Sequence, residues 1–397
     1  MNYSTLALTL PHDTDGVVVD VGSLYARLQT VPDARRRRGQ RYSLAVLLLA
    51  VVLAKLAGQD RPTTIADWVR ERQDFFRTVC QWKRAVTPHA DTFRRVLKQA
   101  VTVAGLERVA REFLTSAPGA GDSAILCLDG KALRGVALDA EGYGTRLLAA
   151  YLPAEGLVLY QAAVASKSNE IPTAVTVLQH LDLQDKIVLA DALHTQQEFA
   201  TTVQAGGGDY VLLAKDNQPT LCRAIAQVFQ PETCLPGTSP VLTDLQSIAT
   251  IEKNRSRLET RRLTTSSCLA KTATWPGLAQ VFKLERTTRD LQTGEQTVNV
   301  VYGLTSLAAI DASPNRLLEL IRDYWHIESQ LHWRRDVLFH EDHTRTKSPL
   351  LGQACACLNN LVIGLLTRLG WANLARARRH FDAHLDEALK LLVTRLA

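Results

Sequence analysis

The order in which hydrophobic periods follow one another after residue 123 limits the fold of this chain more than any other feature. "AILCLD" carries four consecutive apolar residues, Ile125 to Leu128, straight into Asp129. Such a run reads as a strand buried on both faces, where a carboxylate is expensive unless something pairs with it. "RLLAAYLP" and "GLVLYQAAV" then alternate as a hairpin joined near "AEG", and "IPTAVTVLQHL" has a helical period. Strand "KIVLAD", helix "TQQEFATTVQA" and strand "DYVLLAK" complete the series. The order is β-β-β-α-β-α-β.

This order predicts an α/β fold of the RNase H-like type, the arrangement of ribonuclease H and retroviral integrases. There the first and fourth strands lie side by side at the centre of the sheet. Asp129 and Asp191, each ending an apolar run, would then reach the same edge. The next helical stretch, "PNRLLELIRDYWHIESQLHWRRDVLF", offers Asp323, Glu328 and Asp336 as a third acid. Glu328 sits three residues from both Trp325 and Leu331, on or beside the stripe that faces the sheet. Asp323 lies in a more charged turn, and Asp336 is the rival.

Carboxylates gathered at one point repel: a pair about 4 Å apart costs roughly 4 kcal/mol at an effective dielectric of 20. A divalent cation relieves that cost, and hard oxygen ligands suit Mg²⁺ or Mn²⁺. Two such ions would serve an in-line phosphoryl displacement. His332, four residues after Glu328, has a spacing that allows a second ligand, although a packed histidine beside Trp333 is the commoner arrangement.

The flanks divide the chain into an N-terminal helical, DNA-binding region over 1–115, the first part of the catalytic domain over 120–235, a β-rich insertion over 236–308, and its second part with C-terminal helices over 309–397. "TSAPGAGDS" separates the first two. Thr63, Thr64, Asp91 and Thr92 are candidate helix N-caps, and Trp68 and Trp82 read as core. "LAVLLLAVVLA" is too short to cross a bilayer, which takes roughly 20 residues, and reads as a buried helix. The net charge of +6 and the run Arg35, Arg36, Arg37, Arg38 permit a nucleic-acid partner. Seven cysteines without a CxxC pair suggest neither a zinc ribbon nor a disulfide framework, so a reducing, cytoplasmic setting is expected.

"LDGKALRG", "LADALHTQ", "GGDYVLLAKDNQ" and "YWHIESQLHWRRDVLFHEDHTR" resemble the DDE transposases of bacterial insertion sequences, in the group of H-repeat-associated proteins. The resemblance runs from "RYSLAVLLLAVVLAKLAGQDRPTTIADW" to "CLNNLVIGLL". It implies a catalytic and metal-binding triad of Asp129, Asp191 and Glu328, and a site with two Mg²⁺ (or Mn²⁺) ions. It also implies cleavage of double-stranded DNA at transposon ends and strand transfer to target DNA, by a homo-oligomer that is at least a dimer on DNA. Tyr324 stands where the group commonly has histidine, and His194 and Thr195 replace a small residue and a cysteine. "EKNRSRLETRR" lacks the usual His-Gly-Arg core.

Expected DNA contacts are Lys131 and Arg134 after the first strand, and Lys215 and Gln218 after the last. Arg335 is expected on the Glu328 face as a phosphate clamp, Arg345 and Lys347 in the polar loop, and Arg36, Arg37 and Arg38 ahead of the helices. Two other readings share these residues: an RNase H-like nuclease without strand transfer, and a catalytically silent DNA-binding relative.

Overall fold

The computed structural model describes residues 19–79, 86–138, 142, 144–164, 170–230 and 244–396. Among the described residues six α-helices come first: α1 (Leu24–Leu28), α2 (Leu44–Leu56), α3 (Pro62–Glu71), α4 (Gln73–Val79), α5 (Ala90–Arg95) and α6 (Val103–Leu114). Then come β1 (Ile125–Ala132), β2 (Arg146–Leu152), β3 (Leu157–Val164), α7 (Glu170–Gln179), β4 (Ile187–Ala190), α8 (Gln197–Ala205), β5 (Asp209–Ala214) and α9 (Pro219–Val228). Four strands follow, β6 (Gln246–Asn254), β7 (Arg257–Ser266), β8 (Gln280–Asp290) and β9 (Gln296–Thr305). The last elements are α10 (Pro314–His326), α11 (Trp333–Val337), α12 (Pro349–Arg368), α13 (Leu374–Ala383) and α14 (Leu385–Val393). The fold is mixed α/β with a large sheet.

The chain forms two compact units. A sheet unit takes Ala124–Asp129 and Asn169–Ile327, and a helical unit takes Met1–Ser123, Gly130–Ser168 and Glu328–Ala397. In the sheet unit the strand order is β1-β4-β5-β9-β8-β7-β6. The β1–β4 and β4–β5 pairs are parallel, with Cys127 opposite Leu189 and Leu189 opposite Val211. Leu126, Cys127 and Leu128 are at most 1% exposed, as their unbroken apolar run requires of a central strand. Helix α10 packs on β4 and β5, and α9 on β8 and β9.

Two sequence expectations change here. β1 runs on to Ala132, so Asp129 lies within a strand and does not end one. The β-rich insertion has four strands, where the sequence offers three extended stretches, "RRLTTSSCLA", "VFKLERTTRD" and "TVNVVYGLTSL". β6 is faint in the sequence because none of its residues is fully buried and its half-buried face is Ile248, Thr250 and Glu252, of which only one is apolar. β9 pairs with β5 through Thr305 opposite Val211, which makes these strands a continuation of the same sheet.

In the helical unit, all thirteen residues of α2 are buried, which explains a segment apolar on every face. Helix α12 packs against α6, β3 and α2. By length and composition it is apolar enough to cross a membrane, but 83% of its most apolar window is buried inside the protein. The caps differ from expectation: Pro62 opens α3 with Arg61 as N-cap, and Thr64 Oγ1 accepts from the Arg61 amide from inside the first turn. His89, not Asp91 or Thr92, caps α5. Trp68 is 3% exposed, whereas Trp82 lies outside the described residues.

The helical core also carries a chain of buried polar groups. Lys55 Nζ donates to Asn359 Oδ1 at 2.7 Å, and Asn359 Nδ2 donates to Glu341 Oε2 at 3.0 Å. Arg378 donates to Asp60 Oδ1 at 2.7 Å and, through Nε, to the Lys55 carbonyl at 2.9 Å. Each charge has a partner, which is the condition on which buried charges are tolerated.

Candidate active site

β4 stops at Ala190, and Asp191 caps the turn that follows, its Oδ1 accepting from the Leu193 amide at 3.0 Å. Leu128 lies opposite Ala190 in the parallel register, so one further step puts Asp129 beside Asp191. Within the sheet unit, then, the two aspartates singled out from the sequence each directly follow a paired position on strands roughly 4.8 Å apart, Asp129 within β1 and Asp191 just past β4.

Tyr324, on α10, reports on both. Burial pushes its phenol well above the usual tyrosine range, and the charges of Asp129 and Asp191 and a hydrogen bond with Asp129 push it further. The Cys127 thiol is raised by burial and by the Asp323 and Asp129 charges. Its Sγ lies 3.8 Å from the Asp323 carbonyl, which ties β1 to α10. His194 is buried with Nε2 3.9 Å from both Asp191 Oδ1 and Glu170 Oε1. Burial lowers its pKa, and the Asp191 charge opposes that.

The loop after β5 is fastened to the turn after β4. Gln218 Nε2 donates to the Thr195 carbonyl at 3.0 Å and to Gln196 Oε1 at 3.1 Å, and Asn217 donates to the Ala192 carbonyl. This places Lys215, which is exposed, on the loop that borders the acid pair. Gln218 spends its amide on these bonds.

The remaining candidates belong to the helical unit. After α10 the helix widens into a π turn over Ile327–His332, a rare geometry met often at functional sites. Glu328, 58% exposed at its side chain, lies in this turn with Oε2 3.5 Å from His332 Nδ1. Burial lowers the pKa of His332, and a hydrogen bond with Glu328 opposes it. Asp336, the rival acid, is held by Lys131, whose Nζ lies 2.7 Å from both carboxylate oxygens. That pairing neutralises Asp336 and occupies Lys131, which is only 9% exposed.

Arg335 differs from expectation. It is 0% exposed, with Nε and Nη2 on Glu341 at 3.0 and 2.8 Å and Nη1 on Gln161 Oε1 at 3.2 Å. A guanidinium so enclosed has no surface for a phosphate, and its role is structural. Arg134, Arg345, Lys347 and Arg36, Arg37 and Arg38 are all exposed.

The motif "LRG" and the loop "HEDHTR" explain each other. Gly135 and Ala137 exchange backbone hydrogen bonds with Thr346 at 2.9 and 2.8 Å, and the Arg134 amide donates to Asp342. A Cβ on Gly135 would stand 2.6 Å from the Thr344 carbonyl oxygen and 2.9 Å from that of Glu341. Sequence reasoning found the glycine in a motif but missed this clip, along with the Lys131–Asp336 pair. Each joins residues too distant in sequence to show as a local pattern.

Chemically, the pair at β1 and β4 is a set of hard oxygen donors bearing like charge at adjacent positions. That donor set fits Mg²⁺ or Mn²⁺ and no soft metal.

The Transposase DDE domain family matches residues 120–360, and a family described as DDE_Tnp_1-associated matches residues 25–114. Similar relatives include the H repeat-associated protein YhhI of Escherichia coli K12, 25% identical over 88% of this chain and 91% of its own length. YbfL of the same strain is 26% identical, with 88% of this chain and 91% of that protein covered. YncI of Escherichia coli O157:H7 is also 26% identical, with 88% of each chain covered. Among solved structures, a synaptic complex of piggyBac transposase with hairpin DNA aligns with 92% of this chain and 78% of that one, at 10% identity and a TM-score of 0.46. With the family matching more than half of its length, the acid pair of β1 and β4 included, this chain belongs to the Transposase DDE domain family.

Proposed function

We propose that the protein is a DNA transposase of RNase H-like architecture, with Asp129, Asp191 and Glu328 as its catalytic acids and divalent-cation ligands. The observation that carries this reading is the parallel register with Leu128 opposite Ala190, after which Asp129 and Asp191 are the next residues on each side. The family match over 120–360 supports it, as does the word transposase in the names of YhhI and YncI. A strand order in which β1 neighbours β4, and β4 neighbours β5, is the order expected of an RNase H-like sheet.

Bound Mg²⁺ or Mn²⁺, as a pair of ions, would supply activation of the attacking oxygen and charge neutralisation on the leaving one. The chain's own part is positional. Asp191 is oriented by the Leu193 amide, and the 215–218 loop is braced against the same turn. Holding reactants in line is where most of the rate of phosphoryl transfer comes from. The substrate is double-stranded DNA, at transposon ends and at the target, handled in the cytoplasm by an oligomer of at least two copies. Lys131, Arg134, Lys215, Gln218, Arg345, Lys347 and Arg36, Arg37 and Arg38 are the proposed phosphate contacts. Lys131 and Gln218 would act by exchanging their present partners.

The test is nicking of supercoiled plasmid in Mn²⁺ or Mg²⁺ by wild type and Asp191→Ala. The reading expects metal-dependent nicking that the substitution abolishes while DNA binding persists. Equal nicking by both proteins would overturn it. Cleavage of the flanking DNA without joined products would assign a nuclease. Salt-sensitive binding with no cleavage would assign a silent relative.

A further inference from the structure

The stretch "EKNRSRLETRR" carries the chain from β6 across a turn into β7, and the two faces of the sheet built there differ in charge. Residues directly opposite one another in antiparallel strands share a face, and neighbours along a strand alternate. The pairings of β6 with β7, β7 with β8 and β8 with β9 therefore sort every side chain of these strands. One face has Glu252, Glu259 and Asp290 against Arg257, Arg261 and Arg286, and its charges balance. Arg261 lies 2.9 Å from Glu252 and 2.8 Å from Glu259, Arg286 pairs with Glu259, and Arg322 of α10 reaches Glu252 at 2.5 Å. The other face has Lys253, Arg262, Lys283 and Arg289 against a single acid, Glu285. Arg262 stands opposite Glu285 in the register, but the Glu285 carboxylate lies 3.0 Å from Lys283 Nζ. Lys253, Arg262 and Arg289 are exposed and make no ion pair among the described residues.

We propose that this second face of β6–β9 is a docking surface for the backbone of double-stranded DNA, an inference that rests on the reading of the protein as a DNA transposase. Lys253 and Arg289 share a row two strands apart, roughly 10 Å, and Arg262 lies four residues further along the sheet, roughly 14 Å. Cations so spaced cannot share one phosphate, which excludes a small anion as their common ligand. The separations are of the order of the roughly 12 Å major groove that divides the two backbones of a duplex. Between the two levels runs an uncharged row, Ile251, Thr260, Thr287 and Val298, in which Ile251 is 68% and Val298 60% exposed. A surface with such a row and no unpaired carboxylate offers a polyanion no repulsion. A second copy of the same face would meet like charge, which disfavours self-association.

The test is binding of a labelled DNA duplex to the full chain over a salt series, read by fluorescence anisotropy. The triple variant Lys253→Gln, Arg262→Gln, Arg289→Gln removes the three unpaired cations. Its slope of log K against log salt should be shallower by about 2.7, so that wild type loses about 40-fold more affinity than the variant between about 50 and 200 mM salt. Its melting temperature should stay unchanged, because all three side chains are exposed. The charge-keeping variant Lys253→Arg, Arg262→Lys, Arg289→Lys should keep the wild-type slope, and so should Arg286→Gln on the opposite face. Wild type that binds the duplex beside a triple variant of unchanged slope would overturn this surface alone. Wild type that binds no duplex would overturn the DNA reading of the protein with it. A slope lost in the charge-keeping variant as well would overturn the proposal, leaving these residues a structural role. An unchanged DNA slope with lost sedimentation on phosphatidylserine vesicles, or with a halved mass in light scattering, would reassign the face to a membrane or to a second copy.

Discussion

Replacing Arg335 with methionine separates the structural account of this residue from the DNA-contact account. Arg335 is 0% exposed and donates three hydrogen bonds to Glu341, at 3.0, 3.0 and 2.8 Å, and one to Gln161. Burial alone would raise the Glu341 carboxyl, but the Arg335 charge and hydrogen bonds outweigh it and hold the carboxyl below its ordinary range. Arg335→Met leaves that carboxylate buried, with the Asn359 amide still donating to it. Breaking one side of a buried ion pair costs about 3–5 kcal/mol. At about 2–4 °C per kcal/mol for a unit of this size, the melting temperature should fall by roughly 6–20 °C. Calorimetry measures it, and Arg335→Met with Glu341→Met should recover most of the loss, since no unpaired charge remains. DNA binding over a salt series supplies the second measurement, because a lost phosphate contact lowers the slope of log K against log salt by about 1. A melting temperature within 1 °C of wild type together with a reduced slope would refute the burial argument and restore Arg335 as a phosphate clamp.

Gly135→Ala should destabilise the protein by about 1–3 kcal/mol, the usual cost of forcing an extra carbon into filled space, because its Cβ would meet the Thr344 and Glu341 carbonyl oxygens; denaturant midpoints check this. Glu107 accepts from Gln161 Nε2 at 2.9 Å, and burial pushes its carboxyl up to about 7, against the opposing effects of Cys357, Arg335 and Gln161. The folded state therefore holds a proton that the unfolded state releases near 4.5, so this group's contribution to stability falls as pH rises from about 4.5 to 7. Glu107→Gln should flatten that part of the stability–pH curve, and a slope identical to wild type would count against the shift.

The aspartates were legible because each follows an apolar run, and only strand placement was needed to bring them together. Tyr324 was not, since a tyrosine on an amphipathic helix gives no sign of which acid it will meet. Arg335 was misplaced for a geometric reason. Seven residues is almost two turns of an α-helix, so Arg335 was expected on the Glu328 face. The π turn over Ile327–His332 breaks that count: its wider i→i+5 spacing shifts everything beyond it by about one residue, or roughly 100°. Glu328 remains 58% exposed while Arg335 turns inward to 0%. Composition does not encode where a helix leaves its regular period.

The burial of α2 has a consequence for the timing of synthesis. Its packing partners include α12, α13 and α14. Its one charge, on Lys55, is bonded to a residue 304 positions later, and the neighbouring Asp60 to one 318 positions later. At about 5–20 residues per second, the ribosome takes roughly 15–60 s to deliver those partners. For that interval an uninterrupted apolar helix waits on the growing chain with only its N-terminal packing partners, α1 and α3 among them, at hand, a target for chaperones or aggregation. The helical unit can therefore close only late in translation, and a chain cut short before α12 would leave part of α2 uncovered for its whole lifetime, with only N-terminal neighbours such as α1 and α3 against it.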